Sequence, residues 1–247
     1  SSNYISCAEH LARGEGFYST GFDQANYDEY KRTNIWKKPR DNKEIHPYTH
    51  WGPLYPLLLA ILMLVFNINA LFAALIINRF FYSILMTIMY LMLTEMSPKR
   101  IPLSVSVIVI LSINFFPFSY VFGFVWTEMT YIALSMIAVY FMQKYLICPQ
   151  NRELPIILFC AGFTALAILC RYIGASVLLS GLIVIFLKDA FIITRRKIMT
   201  GLLYSSISVL LVFPWLIRNE MLTGYLTGAD RGVPVKIVFY KSISTII

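Results

Sequence analysis

The fold is decided by residues 155–187, PIILFCAGFTALAILCRYIGASVLLSGLIVIFL, in which Arg171 is the one charged residue. A helix that crosses a bilayer needs about 20 predominantly apolar residues. The stretch is too long for one crossing and is interrupted once, so it predicts two apolar helices that meet at Arg171, close to a membrane surface.

The composition of the whole chain agrees with this interpretation. Of 247 residues, 58% are hydrophobic and 14% are charged, and the mean hydropathy is +0.66. Soluble domains average about 45–50% apolar and about 25% charged residues. This excludes a disordered chain, a collagen-like fibre, a coiled coil and an ordinary soluble globule. It predicts a multi-pass integral membrane protein.

Apolar runs separated by short polar breaks follow one another along most of the chain. They predict an all-α, polytopic transmembrane bundle of about six to seven spans. An N-terminal extramembrane loop of short helices (1–50) precedes the bundle (51–217), and the start of a following extracytoplasmic loop (218–247) comes after it. The runs lie at 53–66, 70–93, 102–126, 128–143, 155–170, 172–187 and 199–217.

The charges indicate an orientation. Residues 1–50 hold seven basic and seven acidic side chains, so the remainder carries the whole net charge of +8. Most loop cations lie at 97–101, 144–153 and 188–197, which places these loops in the cytoplasm. If residues 1–50 lie outside, residues 52–93 must cross the membrane an odd number of times. No basic stripe or basic domain is present, so a nucleic-acid partner is not expected.

Three ionisable residues near membrane level are candidates for function, because charges there are costly. Glu128 opens an apolar helix, where it either stabilises the helix N-terminus or binds a cation or a substrate hydroxyl. Arg171 either snorkels to the interface or grips a lipid phosphate with its planar fork. Arg79 is expected to be a structural partner between helices.

The order of several short motifs resembles the GT-C glycosyltransferases, which include the protein mannosyltransferases and the lipid A aminoarabinose transferases. The motifs are Tyr4 with Ala8, Leu11, Gly14, Gly16 and Phe17; Gly52-Pro53-Leu54-Tyr55-Pro56; Arg79; Thr127-Glu128; Arg171; and Pro214-Trp215, Arg218-Asn219 and Gly224. The resemblance puts the family's catalytic aspartate immediately before Ser1. It also implies a truncated chain, with a first transmembrane helix and a C-terminal half belonging to the full-length parent.

The resemblance implies an enzyme of the plasma or inner membrane that moves a sugar from a polyprenyl-phosphate donor to a lipid, glycan or protein acceptor. It carries over Glu128 as the second acidic position, with a catalytic role and a tentative role as ligand of a divalent cation (Mg²⁺ or Mn²⁺). Arg171, His50, Tyr4 and Arg218 are the expected substrate-binding residues. A membrane transporter and a non-catalytic membrane scaffold are the alternatives.

Overall fold

The computed structural model describes residues 2–19, 45–49, 51–96, 127–149, 152–188 and 194–228. These residues are helical apart from loops, one 3₁₀ turn (Tyr172–Gly174) and one antiparallel pair of two-residue strands, which confirms the all-α prediction. The helices are α1 (Ser2–Ala12), α2 (Leu54–Phe66), α3 (Ala70–Met96), α4 (Glu128–Ile147), α5 (Glu153–Cys170), α6 (Ala175–Leu187) and α7 (Arg195–Thr223), and the strands are β1 (Tyr18–Ser19) and β2 (His46–Pro47).

Four helices are long and apolar enough to cross a membrane. They are α3, α4, α5 and α7, of which α7 is the longest at 29 residues. The segments Leu54–Phe66 and Tyr172–Leu187 are apolar but shorter. The predicted run at 102–126 lies outside the described residues, so the predicted total of six to seven spans stays a prediction.

Small side chains let the central helices approach each other closely. Ala138 of α4 packs with Cys160 and Ala161 of α5 in one buried cluster, and Tyr204 of α7 lies in the same cluster. Polar groups there are paired across helices, as low-dielectric surroundings require. The Tyr204 hydroxyl lies 2.9 Å from that of Thr164.

Most of the described basic residues of the bundle gather at one end, which we call the cationic end. There Glu153 accepts a hydrogen bond from Lys188 at 2.8 Å and pairs with Arg196 at 3.0 Å, while Glu95 accepts one from Lys144 at 2.6 Å. Since α4 and α6 run toward this end and α5 and α7 run away from it, Arg171 lies at the opposite end, which we call the site end. The described parts of two predicted cytoplasmic loops, 144–149 with 152–153 and 188 with 194–197, therefore share one end.

Helix α3 runs parallel to α4 and extends beyond it at the site end. Leu85 packs with Met129 near the start of α4, and Glu95 contacts Tyr140 and Lys144 near its end. Counting back from these contacts, about ten residues of α3 precede the level of Glu128. At 1.5 Å per residue they project by about 15 Å.

Helix α2 pairs with this projecting part of α3 as an antiparallel hairpin. The Tyr55 hydroxyl donates to Asn78 Oδ1 at 3.3 Å, and Leu59 and Ala60 are buried with Ala73 and Ala74. Helix α2 therefore stays at the site end and does not reach the cationic end. Residues 51–96 therefore run between the two ends once, and the odd number of membrane crossings stays a prediction.

The N-terminal segment packs on the hairpin. Helix α1 is followed by Gly14, whose φ of +75° suits the left-handed turn that ends a helix. Tyr4, Cys7 and Ala8 of α1 join the buried cluster of α2 and α3. Strand pairing of Tyr18 with Pro47 then brings the two described parts of the 1–50 region side by side.

Candidate functional site

An ion pair between Glu128 and Arg171 lies at the centre of the site end. Arg171 Nη1 donates a hydrogen bond to Glu128 Oε1. The Arg171 side chain is 28% exposed and the Glu128 side chain is 31% exposed. The structure therefore brings together the two residues that the sequence singled out separately. It also gives Arg171 a fixed negatively charged partner, the Glu128 carboxylate on a different helix.

The backbone around Arg171 explains why the arginine emerges there. Arg171 is extended (φ −148°, ψ 133°), while its N–H still bonds to the Ala167 carbonyl at 2.9 Å. The following turn folds back onto α5 because Gly174 has no side chain. A Cβ on Gly174 would lie 2.7 Å from the carbonyl carbon of Ala167. The apolar stretch is thus split into α5 and α6 with the guanidinium at the break.

Tyr4 brings α1 to the same place. Its side chain is 8% exposed and its ring meets Tyr55 edge-on, with centroids 5.5 Å apart. Burial raises the pKa of Tyr4 to about 12, while the nearby Thr127 side chain and the charge of Arg171 act in the opposite direction. The phenol therefore stays protonated at physiological pH and can donate a hydrogen bond beside the ion pair.

Thr127 contributes a buried hydroxyl between Tyr4 and Glu128. Its residue is 1% exposed, and its Oγ1 makes no hydrogen bond of normal geometry within the part of the chain that the structure describes. A buried hydroxyl without a partner is costly. This position at the start of α4 is consequently suited to a polar ligand group or a water molecule.

Arg218 lies at the site end but is engaged by backbone carbonyls. Its Nη1 donates to the carbonyl of Tyr48 at 3.0 Å and its Nη2 to that of Phe17 at 3.1 Å, while the guanidinium carbon lies 4.7 Å from the Trp215 ring centroid. These contacts fasten the extramembrane segment to the end of α7. Phosphate binding by Arg218 stays a prediction, and the observed contacts give it a structural role.

Two asparagines that the sequence analysis gave no role are important here. Asn219 is fully buried and donates to the Tyr172 hydroxyl at 2.9 Å, which in turn accepts from the Trp215 indole at 2.9 Å. Asn78 is the polar partner between α2 and α3. The expectation that Arg79 fills this role is wrong, because Arg79 is exposed and Asn78 points inward. An asparagine inside an apolar helix is the signal that marks both as candidates, and it does not by itself show which way the side chain faces.

His50 falls outside the described residues. A divalent cation held by Glu128 also stays a prediction. The described ranges contain no group of three or more His, Cys, Asp or Glu side chains that could hold a metal, and the positive charge of Arg171 opposes a second cation at the same carboxylate. The described residues do not fit a metal centre, so no chemical step is assigned to one.

Comparison of the chain with models of known protein families, with curated proteins and with solved structures finds no match.

Proposed function

We propose that this chain is part of an integral membrane glycosyltransferase that moves a sugar from a polyprenyl-phosphate donor to an acceptor at the outer face of the membrane. The observation that carries the proposal is the meeting of Arg171, Glu128 and the Tyr4 phenol at one end of the bundle, opposite the cationic end. Fold analogy alone would not support it. The donor, acceptor and enzyme class rest on the resemblance of the motifs.

The proposed topology has five crossings within the described residues, made by α3, α4, α5, α6 and α7. Helix α2 remains outside. Because basic loops stay in the cytoplasm, the site end faces the extracytoplasmic side, where a lipid-linked sugar and an acceptor could meet.

The proposed chemistry uses charges that the site end supplies. An acceptor hydroxyl attacks the anomeric carbon of the sugar, the bond from that carbon to the phosphate oxygen breaks, and the hydroxyl proton passes to a carboxylate base. Arg171 binds the departing phosphate, because charge-assisted bonds to guanidinium are about twice as strong as neutral ones. Tyr4 donates a further hydrogen bond.

A reconstituted transfer assay tests the proposal. The protein that carries this chain is placed in liposomes with a radiolabelled polyprenyl-phosphate sugar, and sugar transfer to acceptor is measured. Arg171→Lys should keep part of the activity, because the positive charge remains while the planar guanidinium with its paired N–H donors is lost. Arg171→Met should lose most of it, chiefly through weaker apparent donor affinity.

The matched control is Arg195→Met, since Arg195 is an exposed arginine at the cationic end. This variant should transfer sugar normally. If Arg171→Met also does so, Arg171 only snorkels and does not belong to the site. If the wild-type protein instead moves a solute across the liposome membrane without any transfer, the transporter alternative is correct.

A further inference from the structure

We propose that Glu128 is an internal anion that occupies Arg171 in the resting protein and is displaced when a phosphate mono- or diester binds there. The inference rests on the proposed function and adds the state of the site before donor binding. It makes the Glu128–Arg171 pair a contact that must open for the site to work. It also gives Glu128 two successive roles, first as the anion bound to Arg171 and then as a free carboxylate.

The geometry of the pair supports displacement. The hydrogen bond of the pair joins one guanidinium nitrogen to one carboxylate oxygen, whereas a phosphate can meet the guanidinium with two parallel bonds. Both side chains keep about 30% of their surface exposed, so an anion from outside can reach the pair. Partly exposed ion pairs contribute less to stability than fully buried ones cost to break. Opening this pair is therefore inexpensive for the fold.

The surroundings of the pair favour a ligand that accepts hydrogen bonds. The buried Tyr4 phenol is a donor within the electrostatic range of Arg171. The Thr127 hydroxyl is a second buried donor, near the Tyr4 phenol. A phosphate has enough oxygens to use both groups together with Arg171.

Charge determines the order of events. A phosphate and the Glu128 carboxylate repel each other when both approach one guanidinium. Phosphate binding consequently releases Glu128, which remains at the N-terminus of α4, where the helix dipole stabilises its negative charge. There it can accept a hydrogen bond from an acceptor hydroxyl. Donor phosphate should therefore bind before the acceptor.

The test measures binding without any sugar transfer. Dissociation constants are determined for inorganic phosphate and for a short isoprenyl phosphate in detergent, using the fluorescence of the protein's tryptophans. Trp51 is a suitable reporter, since its ring lies 6.2 Å from that of Tyr4. The two probes separate the sources of the phosphate: equal affinity indicates a site for free phosphate, and tighter binding of the isoprenyl compound indicates a lipid headgroup.

Glu128→Gln should bind the phosphate probe about tenfold more tightly than wild type, because the competing charge is gone. Glu128→Ala is the second variant and should also bind more tightly. Arg171→Met should show no saturable binding. The control is Glu95→Gln, which removes a carboxylate at the cationic end and should leave the affinity unchanged.

Unchanged or weaker binding by both Glu128 variants would overturn the inference, because it would make the carboxylate part of the binding site. Failure of both to fold would also overturn it, since a displaceable side chain cannot be essential to the fold. If binding tightens but no transfer is found, the inference stands and the glycosyltransferase proposal fails. If transfer is found but the Glu128 variants bind phosphate more weakly, the glycosyltransferase proposal stands and the inference fails.

Discussion

Gly52 lies just after the extramembrane segment and packs against the end of α5, and an added methyl group there should be strongly destabilising. A Cβ at this position would lie 2.0 Å from the Leu169 carbonyl oxygen and 2.9 Å from the carbonyl carbon of Cys170. Contacts of this kind normally exceed 3.4 Å. The atoms in the way belong to the backbone of a packed helix, so no side-chain rotation can relieve the overlap.

We expect Gly52→Ala to cost about 3 kcal/mol, at the upper end of the usual range for overpacking. In a chain of this size 1 kcal/mol lowers the Tm by about 2–4 °C, so the variant should melt about 6–12 °C below wild type. The measurement is a melting curve in detergent, followed by size-exclusion chromatography. Because Arg171 follows Cys170 directly, phosphate binding should weaken as well.

Gly162→Ala is the matched control, because Gly162 also lies on α5 but a Cβ there would meet no atom within 4 Å. Alanine is favoured over glycine inside a helix by about 0.5–1 kcal/mol, so this variant should melt at or slightly above the wild-type temperature. A Gly52→Ala protein that melts within about 2 °C of wild type would refute the close approach of Gly52 to α5.

Three other predictions concern the site end. Raising the pH above 9 should lower the Tm, because burial raises the pKa of Cys7 from 9.0 and that of Tyr4 from 10.0 to about 12. The stabilising contribution of these two groups is full below their unfolded pKa values and is lost as the pH rises toward 12. The Tm of a Cys7→Ala, Tyr4→Phe double variant should therefore depend less on pH. Arg218→Met should cost about 2–3 kcal/mol by freeing two carbonyls from a charged donor, and limited proteolysis should cut its N-terminal segment faster than that of wild type. Tyr55→Phe should lower the free energy of unfolding by about 1 kcal/mol, since the Asn78 acceptor loses its partner; an unchanged melting curve would show that the α2–α3 hairpin does not need this bond.

Helices α4 and α5 were predictable because their apolar runs are long and bounded by charged residues. The runs at 128–143 and 155–170 become α4 and α5 with ends shifted by at most four residues. The pairing of Glu128 with Arg171 was not predictable, since it depends on how two helices 43 residues apart align along their axes. Asn78 and Arg79 show a related limit. Neighbouring residues on a helix point about 100° apart, and this apolar segment has too little polar contrast to indicate which one faces inward.

The contacts of Arg218 have a consequence for how the protein is made. The guanidinium binds carbonyls that precede it by 170 and 201 residues. At about 5–20 residues per second, a ribosome needs about 10–40 s to travel from Phe17 to Arg218. During that time the carbonyls of Phe17 and Tyr48 lack the donor that later holds them. The segment that contains Phe17 and Tyr48 is therefore made early, but it gains its contacts with Arg218 only after the final described helix has been synthesised.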